Sequence, residues 1–148
     1  MKTQLMKAMK TSISEVMETM FFLPVEFAQT AALSAAGLDA QDTMACRLAF
    51  SGDVSGQVIL AAPESLVREM AENFMGEPRD QFTREHLTGT LKEMLNMVCG
   101  NALRHTQAST PFALGIPEVI DLSEIAQDAR FHIIDTDMSK LGMFLKTD

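Results

Sequence analysis

LTGTLKEMLNMVCGNA, residues 87–102, decides the fold. Leu87, Leu91, Met94, Leu95, Val98 and Ala102 recur every three or four residues, the spacing of one helical face. The stripe predicts a helix from about Thr83 to Thr106, with Pro111 just beyond it. Upstream, PESLVREMAENFMGEP opens at Pro63 and puts Leu66, Val67, Met70 and Phe74 on one face of a shorter helix. Gly76 is placed to cap its end and Pro78 to forbid continuation. Before that helix, ACRLAFSGDVSGQVILAA has the form of two strands around a turn at Gly52 to Gly56. Beyond the long helix, PFALGIPEVIDL is strand-like. RFHIIDTDMSKLGMFLKTD then gives two alternating runs around Asp137 to Lys140, a second hairpin.

The N-terminal part carries another amphipathic helix, from Met6 to about Pro24, with Met6, Met9, Ile13, Met17 and Met20 on its apolar face. Pro24 is expected to end or redirect it. Setting SISEVMETMFF at Ser12 beneath TLKEMLNMVCG at Thr90 pairs Ser12 with Thr90, Glu15 with Glu93, Met17 with Leu95 and Glu18 with Asn96. Both halves then follow the order long helix, extended segment, hairpin. Periodicity alone would match the apolar positions, so the Glu15 and Glu93 match carries the extra information. The expectation is one domain over 1–148, with pseudo-repeat halves at roughly 1–78 and 79–148. Its class is α+β: two pseudo-repeated long helices and a short one packed on an antiparallel-rich β-sheet.

A chain of 148 residues, 47% hydrophobic, can bury a core without disulfide or metal staples. Its net charge of -8 argues against nucleic acid or an anionic membrane as partner, since phosphate binding needs clustered Lys and Arg. Twelve methionines with no Trp or Tyr make a pliable core. Cys46 and Cys99 lie far apart and form no CxxC, so both are expected to be structural. The N-terminal stretch interleaves apolar residues with Lys, Ser and Glu, so neither a signal segment nor a membrane span is expected, and the protein should be cytoplasmic. His86, His105 and His132 show no HxxxH or HExxH spacing, and His105 suits a core or helix-end role. No GxxxxGK[ST] or GxGxxG occurs, so no metal or cofactor of its own is expected.

On a helix turning about 100° per residue, Gly89, Glu93, Asn96 and Gly100 fall within roughly 60° of one another, opposite the apolar stripe. Glycine within an exposed helix costs roughly 1 kcal/mol against Ala, so two of them flanking an acid and an amide suggest close approach of a partner's backbone. The alternative is that Glu93 and Asn96 are solvated and that the glycines pack within the fold. An acid and an amide at i and i+3 cannot generate a nucleophile alone. The amide can both donate and accept, and so hold an attacking water, while the carboxylate can anchor a cation. Such a pair suits a reaction whose electrophile, cation and divalent metal come from another protein, as in hydrolysis of an acyl phosphate on a receiver domain.

ENFMGEP from Glu72 and LTGTLKEMLNMVCGNA from Leu87 resemble the CheX and CheC family of chemotaxis phosphatases. The leading helix ISEVMETMFFLPVEF, the hairpin FSGDVSGQVILAAP and the closing KLGMFLKTD are similar to family segments in the same order. The resemblance implies a CheC-like fold and a phosphorylated CheY-like receiver as substrate, with magnesium held by that receiver. Asn96 would orient the attacking water, Glu93 would pair with the receiver's lysine, and Gly89 and Gly100 would let the partner dock. Homodimers are also implied. Two departures stand out: Gly89 occupies a position where the family prefers Asp or Ser, and Pro117 lies slightly closer to Asn96 than the family's downstream proline. Glu15 and Glu18 stand where a second ExxN would be. A carboxylate there cannot donate a hydrogen bond, so the chain resembles single-sited CheX more than two-sited CheC. A catalytically inactive module of the same fold that binds a receiver is the alternative.

Overall fold

The computed structural model describes residues 2–106 and 111–148. Three helices, α1 (Lys2–Met20), α2 (Glu64–Met75) and α3 (Arg84–Arg104), alternate with strands β1 (Glu26–Ala31), β2 (Thr43–Ser51), β3 (Gly56–Pro63), β4 (Ala113–Leu114), β5 (Glu118–Ile120), β6 (Phe131–Asp135) and β7 (Lys140–Thr147). The strands form one sheet in the order β1-β6-β7-β3-β2-β4, with β5 also on β2, and every pairing is antiparallel. Both predicted hairpins, β2–β3 and β6–β7, are present. Gly56 marks their junction. A Cβ there would stand 2.1 Å from the Lys146 carbonyl oxygen, so only glycine lets β7 close on β3.

The period-two alternation of the strands explains how the sheet is covered. Met44, Cys46, Leu48, Phe50, Val58, Leu60 and Met143 face the helices and join Leu5, Met9, Leu91 and Leu95 in the main core. Ala45, Ile59, Ala61 and Ile133 face the other way, where they join Ile120 of β5 and are covered by Leu33 and Leu38 from an irregular segment in a smaller core. The α+β expectation is met.

All six residues of the predicted α3 stripe are buried. Deleting a buried leucine side chain to Ala costs about 2–5 kcal/mol, so this face fixes α3 on the sheet and sends the opposite face outward. The shorter helices depart from prediction in detail. α2 stops at Gly76, whose φ of 72° is the left-handed C-cap, as expected. α1 ends at Met20, before Pro24 is reached. There Phe22 takes a left-handed φ of 57°, and the Leu23 N–H donates to the Met17 carbonyl at 2.9 Å. Met20 and Phe74, placed on apolar faces by periodicity, are 38% and 43% exposed; Val16 and Ala71 are buried. Periodicity finds a helix's apolar side but not where its last turn leaves the sheet.

Candidate active site

α3 begins at Thr83, whose hydroxyl accepts from the His86 N–H while His86 Nδ1 accepts from the Thr83 N–H, a reciprocal cap. The helix then runs without a break to His105, whose N–H caps the Ala102 carbonyl. His105 is therefore an exposed helix-end residue, not a core one. Within this rigid element Glu93 and Asn96 are exposed, one turn apart, on the side away from Leu91, Leu95 and Val98. Gly89 is exposed and Gly100 half-buried on the same strip.

The strip forms a ridge between two hollows. Toward α1, a hollow of about 850 Å³ is lined by Asn96, Gly100, Asn101 and Glu15, with Met20 and Leu114 at its apolar side. Toward α2, one of about 450 Å³ is lined by Glu93, Gly89, Thr90, Glu85, Phe74 and Met75. A Cβ on Gly89 would meet nothing within 4 Å, and one on Gly100 would meet only the Leu114 Cδ1 at 3.9 Å. Packing within this chain therefore requires glycine at neither position. Among the described residues, no group of three or more His, Cys, Asp or Glu is arranged to hold a metal.

The family model described as Chemotaxis phosphatase CheX matches residues 44–136, a span that contains all of α3. The chain belongs to the CheX family. The fold agrees with solved structures over nearly its full length. It matches the chemotaxis protein CheX from Vibrio vulnificus at TM-score 0.76 and 17% identity, over 97% of this chain and 96% of that one. It matches a chain of the CheX-CheY-BeF3-Mg complex from Borrelia burgdorferi at TM-score 0.75 and 16% identity, over 96% of each. A CheC-like protein from Shewanella oneidensis MR-1 aligns at TM-score 0.74 and 18% identity, over 100% of both. At such identities the likeness speaks for the fold. No curated protein sequence matches the chain.

In this CheX-family fold, a polar tie that the sequence did not single out fixes α3 against α1. Ser12 Oγ, buried, donates to the Val98 carbonyl at 2.7 Å. Asn101 Nδ2 donates to Ser12 Oγ and to Glu15 Oε2, each at 3.1 Å. Glu15 thus lines the same hollow as Asn96, but its carboxylate is engaged by α3; Glu18 is exposed on α1. The available signal was Ser12 itself, a hydroxyl between Met9, Ile13 and Val16 that must find a partner when buried. Cys46 and Cys99 lie in the core, and burial pushes both thiols up to about 12. At neutral pH they are protonated and inert. No described helix is long and apolar enough to cross a membrane.

Proposed function

We propose that this CheX-family chain dephosphorylates the phosphoaspartate of a CheY-like response regulator in the cytoplasm. The observation that carries the reading is the ridge of Glu93 and Asn96, exposed on a buried-faced helix within a chain of a chemotaxis phosphatase family. Asn96 donates to and accepts from the attacking water, setting its oxygen in line with the phosphorus. Water attacks phosphorus, the bond to the aspartyl oxygen breaks, the carboxylate is regenerated and inorganic phosphate leaves. Glu93 pairs with the receiver's active-site lysine and holds the two proteins in register. The magnesium is the receiver's. Open space at Gly89 and near-open space at Gly100 allow the receiver's backbone to approach the ridge.

Glu15 and Glu18 are a degenerate counterpart that does not turn over phosphate. A carboxylate at Glu18 cannot donate to water, and Asn101 engages Glu15. A homodimer is part of the same proposal. β1 lies at the edge of the sheet, and residues 26–30 are exposed, leaving an edge for a second copy. A light-scattering mass equal to the monomer would contradict this.

The deciding experiment follows phosphate loss from CheY with wild type and with Asn96→Ala. Faster decay that disappears in the variant supports the proposal, and unchanged decay with wild type overturns it. Gly89, where the family prefers Asp or Ser, favours a second reading: stable capture of the phosphorylated receiver without turnover. A longer-lived complex with unaltered phosphate lifetime would establish that one.

A further inference from the structure

Four of the nine exposed large hydrophobic side chains among the described residues gather on the two sides of the Glu93 and Asn96 ridge. Met20 and Leu114 line the hollow on the Asn96 side. Phe74 and Met75 wall the hollow on the Glu93 side, with Phe21 at its back. The ends of α1 and α2 are held together there. Asn73 Nδ2 donates to the Phe21 carbonyl at 2.7 Å, and the Phe21 and Phe74 rings stand 5.5 Å apart. These apolar groups are therefore set on a braced surface.

Two features set this hollow apart from ordinary surface. Met75, 53% exposed, and Phe74, 43% exposed, keep apolar surface in solvent beside the buried Phe21 ring. Gly89 lines the hollow, and the space above it is empty because a side chain is missing where one would fit. Glu85 and Glu93 bring two carboxylates to the same hollow. Apolar walls with an acidic rim disfavour a phosphoryl group and suit an apolar side chain next to a cation.

We infer that the hollow between the end of α2 and the start of α3 seats an apolar side chain of the receiver, beside the lysine taken by Glu93. The inference rests on the proposed phosphatase reading, because its occupant is the same CheY-like protein and the hollow is continuous with the ridge. Phe74 and Met75 are then the apolar anchors of docking, and Asn96 remains the group that meets the water. Opening position 89 widens the seat, which gives the departure from Asp or Ser a role in choosing the receiver.

The test uses the CheY protein of the same organism, activated with beryllofluoride and Mg²⁺ for binding and phosphorylated for turnover. Met75→Ser and Phe74→Ser remove apolar wall, and Gly89→Met fills the seat. Each should weaken binding about tenfold and raise KM in parallel, with the rate at saturating CheY changed less than threefold. Met75→Ser, at a side chain 53% exposed, should melt as wild type does, which separates docking from folding. Unchanged affinity in all three variants, while Asn96→Ala abolishes turnover, overturns the hollow alone. Wild-type binding that these variants weaken, without any turnover, sustains the hollow and overturns the phosphatase reading. Absence of both binding and turnover in wild type overturns both.

Discussion

α1 and α3 pack against the same core and place a glutamate at matched positions, yet they use it differently. On α3, Glu93 stands on an open ridge with Asn96 one turn away. On α1, Glu15 accepts from Asn101, and the residue one turn on is Glu18. The matched hydroxyls also differ: Ser12 reaches across to the Val98 carbonyl, whereas Thr90 donates to the His86 carbonyl of its own helix at 3.0 Å. On α1 the glutamate is engaged by Asn101 of the neighbouring helix, and on α3 Glu93 and Asn96 stand exposed, open to a partner. Under the proposed mechanism the pair needs an amide, and it also needs its flanking acid to be unclaimed.

The sharpest way to break the contrast is to give α3 the polarity of α1. Asn96→Glu should lower CheY dephosphorylation roughly a hundredfold, the scale of losing one positioned donor, with little change in melting because the position is exposed. A mutant that keeps its rate would remove the amide from the mechanism. Next in size is the tie between the helices. Ser12→Ala should cost about 1–2 kcal/mol in denaturant unfolding, because it removes a buried donor and one acceptor of Asn101. Thr90→Ala should cost less, since its bond stays within one helix and Ala favours the helix. Equal losses would erase the distinction.

Restoring an amide on α1 with Glu18→Asn should change the phosphatase rate less than twofold, because Asn101 still holds Glu15. A doubled rate would mean that α1 carries a latent second site. The smallest effect lies near the other end of α1. Burial, with Lys10 adding repulsion, holds His132 below its ordinary value of 6.5. The unfolded chain therefore takes up this proton first as pH falls, and the fold loses stability from about pH 6.5 down through the lowered value. Above pH 6.5 the contribution is complete. Thermal melts at pH 7.5 and pH 5 should show a slightly smaller drop for His132→Gln than for wild type.

What could be read from sequence followed from local periodicity. The α3 stripe, the two hairpins and the Gly76 stop each depend on residues a few positions apart, and each appears as expected. The exposed side of α3 followed from the buried one. What escaped depends on distant partners. Ser12 and Asn101 meet across 89 positions of sequence, and no spacing rule connects them. Met20 and Phe74 have core chemistry, but they fall in the last turns of α1 and α2 and are exposed there. The strand-like segment after α3 divides into β4 and β5. Between them Gly115 lies close under β2, where a Cβ would stand 3.1 Å from the Ala49 carbonyl oxygen.

The edge pairing of β1 with β6 has a consequence for the order of assembly. Its partners, such as Ala31 and Phe131, are separated by roughly a hundred residues, whereas β2 meets β3 across a short turn. A chain emerging from the ribosome can close the β2–β3 hairpin and seat α2 while β1 still has no strand to join. The central pairing of β3 with β7 waits as well. β1 thus remains a single unpaired ribbon until the segment that carries β6 has been translated.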